Sequence, residues 1–132
     1  MNDTHSFNTH TFNNLNINSQ SIKPIIFDLG NLQLHGLSFG HEQDPILVCI
    51  HGWLDNAASF QSLIPLIKNR YVIAIDLSGH GLSSHKTPDA HYHFIDWVYD
   101  LLKLSEHNQW GAIDIVGHSM GAMISCAFAA AF

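Results

Sequence analysis

The stretch AIDIVGHSMGAMISCAF, residues 112–128, runs from an apolar segment through a Gly-His-Ser-Met-Gly turn into small and apolar residues. AIDIV reads as a strand buried on both faces, and the residues after the turn read as a helix. Gly117-His118-Ser119-Met120-Gly121 therefore has G-x-S-x-G spacing at a strand-to-helix junction. At so sharp a turn the serine takes a strained backbone conformation that lifts its Oγ clear of the sheet. Strand and helix then come so close that side chains two positions either side of the serine would collide, and Gly117 and Gly121 remove them. Ala122, Ser125, Ala127, Ala129 and Ala130 let the following helix lie close on a sheet. Its N-terminal amides, led by that of Met120, point toward the place of a substrate carbonyl oxygen. Ser119 is the candidate nucleophile, and Met120 offers one backbone donor for an oxyanion.

Two upstream segments extend this reading. CIHGWLDNAASF (49–60) follows the apolar run PILVCI, and Gly52 permits a tight turn that presents the amide of Trp53 as the second oxyanion donor. AIDLSGHGLSS (74–84) closes the apolar run YVIAI with Asp76 and two glycines, a loop suited to the C-terminal edge of a parallel sheet, where ligands collect. Gly30-Asn31 separates two short β-like runs and predicts a hairpin. Phe60, Leu63, Ile64 and Ile67 have helical spacing interrupted by Pro65, and Phe94, Trp97, Val98, Leu101 and Leu102 repeat that spacing without interruption. Hairpin followed by alternating strands and helices predicts an α/β fold with a mostly parallel sheet.

Bulk properties exclude several classes. The chain of 132 residues has 5 Lys and Arg against 11 Asp and Glu, so it lacks the basic footprint of a nucleic-acid or anionic-membrane binder. It contains no apolar run long enough to span a bilayer. Residues 1–22, rich in Asn, Thr, Ser and His, carry no secretory signal and read as a flexible tail before a single domain over 23–132. A cytoplasmic setting is the default expectation. Cys49 and Cys126, far apart on apolar segments, read as reduced core residues. His80, His85, His91 and His93 have no carboxylate or thiol at ligand spacing, so they read as solvated loop histidines; no metal and no cofactor is expected. Asp114, inside an apolar strand, fits either a hydrogen bond at the core's edge or an opening beside the strand.

The motifs HGW, DLSGHGLSS and GHSMG, in that order, resemble the N-terminal half of α/β-hydrolase-fold proteins, and HGWLDNAASFQSLIPLI resembles their serine hydrolase-like group. The resemblance implies Ser119 as nucleophile and the amides of Trp53 and Met120 as the oxyanion hole. It implies acyl transfer from a small ester-like substrate to water, and a serine rather than an aspartate here disfavours dehalogenase or epoxide hydrolase chemistry. Ala122 stands where many relatives carry another glycine. In this fold the triad acid and histidine follow the nucleophile, yet MGAMISCAFAAAF contains neither. His118, adjacent on a sharp turn, points away from Oγ; His51 reads as structural; His80 and His85 have no orienting acid. The expectation is the front part of a serine hydrolase, inactive by itself and prone to self-association at an open sheet edge. The alternative is a non-catalytic binding or interaction module.

Overall fold

The computed structural model describes residues 21–132. The expected tail lies outside them except for Ser21 and Ile22. Five strands form one sheet: β1 (Lys23–Asp28), β2 (Gln33–Phe39), β3 (Ile46–Ile50), β4 (Tyr71–Ile75) and β5 (Asp114–Gly117), in the order β1-β2-β4-β3-β5. The hairpin β1–β2 turns at Gly30, whose φ of 88° only glycine adopts freely, and both β1–β2 and β2–β4 are antiparallel. β4, β3 and β5 are parallel, so the sheet is mixed, with its parallel half carrying the serine turn.

β3 and β4 alternate between two apolar layers, which is why their sequences are apolar throughout. Val48, Ile50, Ile73 and Ile75 face a core with Trp97, Val98, Leu101 and Leu104 of α1 (Phe94–His107) and Ile124 and Phe128 of α2 (Met120–Ala131). Leu47, Cys49, Val72 and Ala74 face a smaller core with Ala57, Phe60 and Ile64. Burial pushes the Cys49 thiol up to about 11, so this cysteine is an inert core residue.

Three expectations need correction. The helix predicted around Phe60–Ile67 is instead two short 3-10 turns, Ala57–Phe60 and Ile64–Leu66, because Pro65 cannot continue the hydrogen-bond ladder. Cys126 is exposed, since its face of α2 looks toward the open side of β5 rather than into the core. β5 is not buried on both faces: Asp114 and Val116 are exposed, because the strand lies at the sheet's edge. Asp114 pairs with Arg70 at 2.9 Å, a solvated ion pair of little energetic weight.

Among the described residues β5 has a partner strand on one side only. Beside it Ile113, Ile115, Leu102, Phe128 and Phe132 line an open cavity of about 570 Å³. An unpaired edge next to apolar surface invites strand addition. We expect the 132-residue chain to self-associate, with light scattering after size exclusion reporting oligomers and an apolar-surface dye becoming fluorescent. A monodisperse monomer without dye binding would refute this.

Candidate active site

The site lies where the parallel strands β3 and β5 end side by side. Their register pairs Ile50 with Gly117, and the His118 amide continues the ladder by donating to the Ile50 carbonyl at 2.9 Å. Ser119 follows at φ 53° and ψ −119°, a conformation that side-chain-bearing residues rarely adopt. A methyl group on Gly121 would stand 2.1 Å from the Ile50 carbonyl oxygen, and one on Gly117 would stand 2.4 Å from the Ala122 nitrogen. Both glycines therefore answer to crowding, Gly117 against the start of its own helix and Gly121 against the end of β3 rather than its own strand. Ser119 is exposed, and Met120 opens α2, where its amide has no acceptor within the helix.

The neighbouring loop approaches the serine directly. A methyl group on Gly52 would lie 3.2 Å from Ser119 Cβ and 3.3 Å from His118 Nδ1. That contact brings the Gly52–Trp53 peptide to the rim of the turn. Its orientation is held from behind by His51, which is fully buried. The Gly52 carbonyl can only accept and the Leu77 amide can only donate, so His51 Nδ1–H donates to Gly52 O at 2.7 Å and Nε2 accepts from Leu77 N at 3.0 Å. Burial lowers the His51 pKa, more than the Gly52 carbonyl raises it, which keeps the ring in the neutral form this bonding needs. Because the C=O and N–H of a trans peptide point in opposite directions, fixing Gly52 O turns the Trp53 N–H away from His51. His51 is structural, as the sequence indicates.

Asp76 ties the two loops together. Its buried carboxylate accepts from Ala57 N at 2.7 Å and from Leu82 N at 2.9 Å. Asp55 at the rim accepts from the Ser59 hydroxyl and the Asn56 amide, which hold its carboxyl below the ordinary aspartate range.

The histidines separate into two groups. His85, His91 and His93 are exposed, and no three His, Cys, Asp or Glu side chains among the described residues gather as a metal-binding group. His80 corrects the solvated reading: it is buried, with its ring 5.1 Å from His51, 5.7 Å from Trp53 and 5.9 Å from Trp97. Sequence reasoning missed it because Trp97 joins this cluster from a different element. No imidazole among the described residues hydrogen-bonds Ser119.

The family description of the α/β hydrolase fold matches residues 45–132, which takes in both loops and the serine turn. This chain belongs to the α/β-hydrolase family. A serine hydrolase-like protein of Homo sapiens is 40% identical over 96 residues, covering 72% of this chain and 47% of the relative. The crystal structure of a hypothetical protein from Pseudomonas aeruginosa PAO1 superposes with a TM-score of 0.78 at 35% identity, covering 83% of this chain and 39% of the other. A thioesterase domain from the curacin biosynthetic pathway gives a TM-score of 0.74 at 31% identity, with 83% and 39% covered. The chain thus spans less than half the length of each of these α/β-hydrolase relatives.

Proposed function

We propose that this α/β-hydrolase chain carries the nucleophile and oxyanion hole of a cytoplasmic serine hydrolase acting on ester or thioester substrates. The observation that supports this best is Ser119 itself: exposed, at φ 53°, and packed against Gly52 of the neighbouring loop. Strain of that kind persists where the surroundings enforce it, and it clusters at reactive sites. The likeness to a thioesterase domain agrees with an acyl substrate. Ser119 Oγ would attack the carbonyl carbon while the amides of Trp53 and Met120 hold the oxyanion. The alcohol or thiol then leaves, and water cleaves the acyl-serine.

The serine proton needs an acceptor, and the upstream histidines are unsuited to that task. The one lone pair of His51 is taken by Leu77, and His80, whose Nδ1–H donates to the Ser78 carbonyl at 3.2 Å, keeps its Nε2 buried and without a hydrogen bond to Ser119. The reading therefore leaves the base to residues beyond this chain. A second reading, a non-catalytic binding module, draws on the same missing hydrogen bond to Ser119.

Turnover of p-nitrophenyl butyrate by the 132-residue chain is expected to be negligible at neutral pH and equal to that of Ser119→Ala. Prolonged exposure to a fluorophosphonate should nevertheless modify Ser119 ahead of every other serine, as read by peptide mass spectrometry. Robust turnover lost in Ser119→Ala would place the base within this chain. Modification spread evenly over the serines would sink the nucleophile assignment and leave the binding module.

A further inference from the structure

Three rings stand in a closed triangle under the candidate oxyanion loop. Trp53, His80 and Trp97 have centroid separations of 5.7, 5.9 and 5.9 Å, each pair edge to face. Two of the three hang from one carbonyl: the Ser78 oxygen accepts from Trp97 Nε1–H at 2.9 Å and from His80 Nδ1–H at 3.2 Å. Ser78 is fixed in turn by its hydroxyl, which donates to Asp100 of α1 at 2.6 Å. Tyr92 stacks on Trp97 from outside at 6.0 Å. His80 and Trp97 are thus immobile walls, 8% and 4% exposed.

Trp53 is different. It is 59% exposed and Leu54, next to it, is 80% exposed with φ at 55°. His51 and Gly52 at the base of the loop are buried, but Trp53 and Leu54 beyond them expose most of their surface, and the Trp53 ring resting edgewise on His80 and Trp97 is the apolar attachment of this outer part. Among the described residues His80 Nε2 is buried with no hydrogen-bond partner, so the contacts of this ring beyond Nδ1 are those of its faces and edges with His51, Trp53 and Trp97.

We propose that His80 and Trp97 are positioning residues for the oxyanion hole, setting the Trp53 amide by clamping the Trp53 ring. The proposal rests on Trp53 as an oxyanion donor. His51 sets the rotation of the Gly52–Trp53 peptide; the ring triangle sets where that peptide stands along the loop. Neither clamp residue touches substrate, and the exposed face of Trp53 is left to line the acyl site.

The test labels the chain with 5-fluorotryptophan, giving separate 19F signals for Trp53, Trp97 and Trp110. Trp110 packs edgewise on Phe27 in the main core and reports whether the fold is intact. In His80→Ala the Trp53 signal is expected to move to the position of free fluorotryptophan while Trp110 stays. In His80→Phe, which keeps a ring, Trp53 should remain displaced. Fluorophosphonate modification of Ser119 should slow about tenfold in His80→Ala and recover in His80→Phe. A Trp53 signal unmoved by His80→Ala, or already at the free position in the parent chain, overturns the clamp. Should His80→Ala also move Trp110, His80→Asn takes its place, because it keeps an N–H for the Ser78 carbonyl and removes the ring; the same two outcomes decide. Loss of selective Ser119 modification in the parent chain would instead overturn the hydrolase reading, whatever the fluorine spectra show.

Discussion

Gly121→Val is expected to lose at least about 3 kcal/mol of folding stability. A β-carbon there meets the Ile50 carbonyl oxygen at 2.1 Å and the His51 carbonyl oxygen at 2.6 Å. Both belong to backbone at the end of a buried central strand, which cannot swing aside as a flexible side chain would. Relief requires α2 to lift from β3, and that opens the packing of Ile124 and Phe128 against the sheet. A domain of ordinary stability has only about 5–15 kcal/mol in reserve, so the substitution removes a large share of it and lowers the unfolding midpoint. Thermal and urea melts by circular dichroism check this, with Ser119→Ala expected near the parent. A Gly121→Val midpoint equal to the parent's would show that the helix does not need its close approach.

The second large effect is expected at Asp76. Asp76→Ala leaves the Ala57 and Leu82 amides without their acceptor, and the first of these is buried. Losing two bonds to a charged group, one from a donor that water cannot reach, should cost roughly 3 kcal/mol. The damage should also reach the site, because this carboxylate bridges the 3-10 turn after Trp53 to the loop bearing His80. Denaturant midpoints measure the stability, and the fluorine signal of Trp53 measures the loop. Asp76→Asn keeps one acceptor oxygen and should fall between the two. An unchanged midpoint for Asp76→Ala would mean that water replaces the carboxylate at both amides.

The serine turn was legible because G-x-S-x-G spacing is itself local in sequence, although only the crowding at Gly117 comes from the turn's own helix; at Gly121 it comes from the Ile50 and His51 backbone of the next strand. β3 and β4 were legible because burial on both faces leaves a run without polar residues. What escaped depended on neighbours distant in sequence. The Phe60, Ile64 and Ile67 spacing serves two 3-10 turns as well as a helix, and only Pro65 hinted at the difference. His80 looked like any loop histidine until Trp53 and Trp97 closed around it. Asp114 opens β5 and Cys126 faces its open side, where sequence cannot tell a sheet's edge from its centre; both are exposed, and Asp114 reaches Arg70. The motifs thus marked out a candidate site, while the contacts around it became visible only in three dimensions.

The pairing of Ile50 with Gly117 has a consequence for how such a site can change. The serine turn and the loop at Gly52 leave adjacent parallel strands at the same level, so their separation follows the interstrand distance of about 4.8 Å. That distance is a property of backbone hydrogen bonding and is indifferent to side chains. Insertions in the loops beyond Leu54 or Leu82 could reshape the surrounding walls extensively while this gauge stayed constant. Under the proposed function, substrate range and reaction geometry become separable quantities, the first written in loop sequence and the second in the lattice of the sheet.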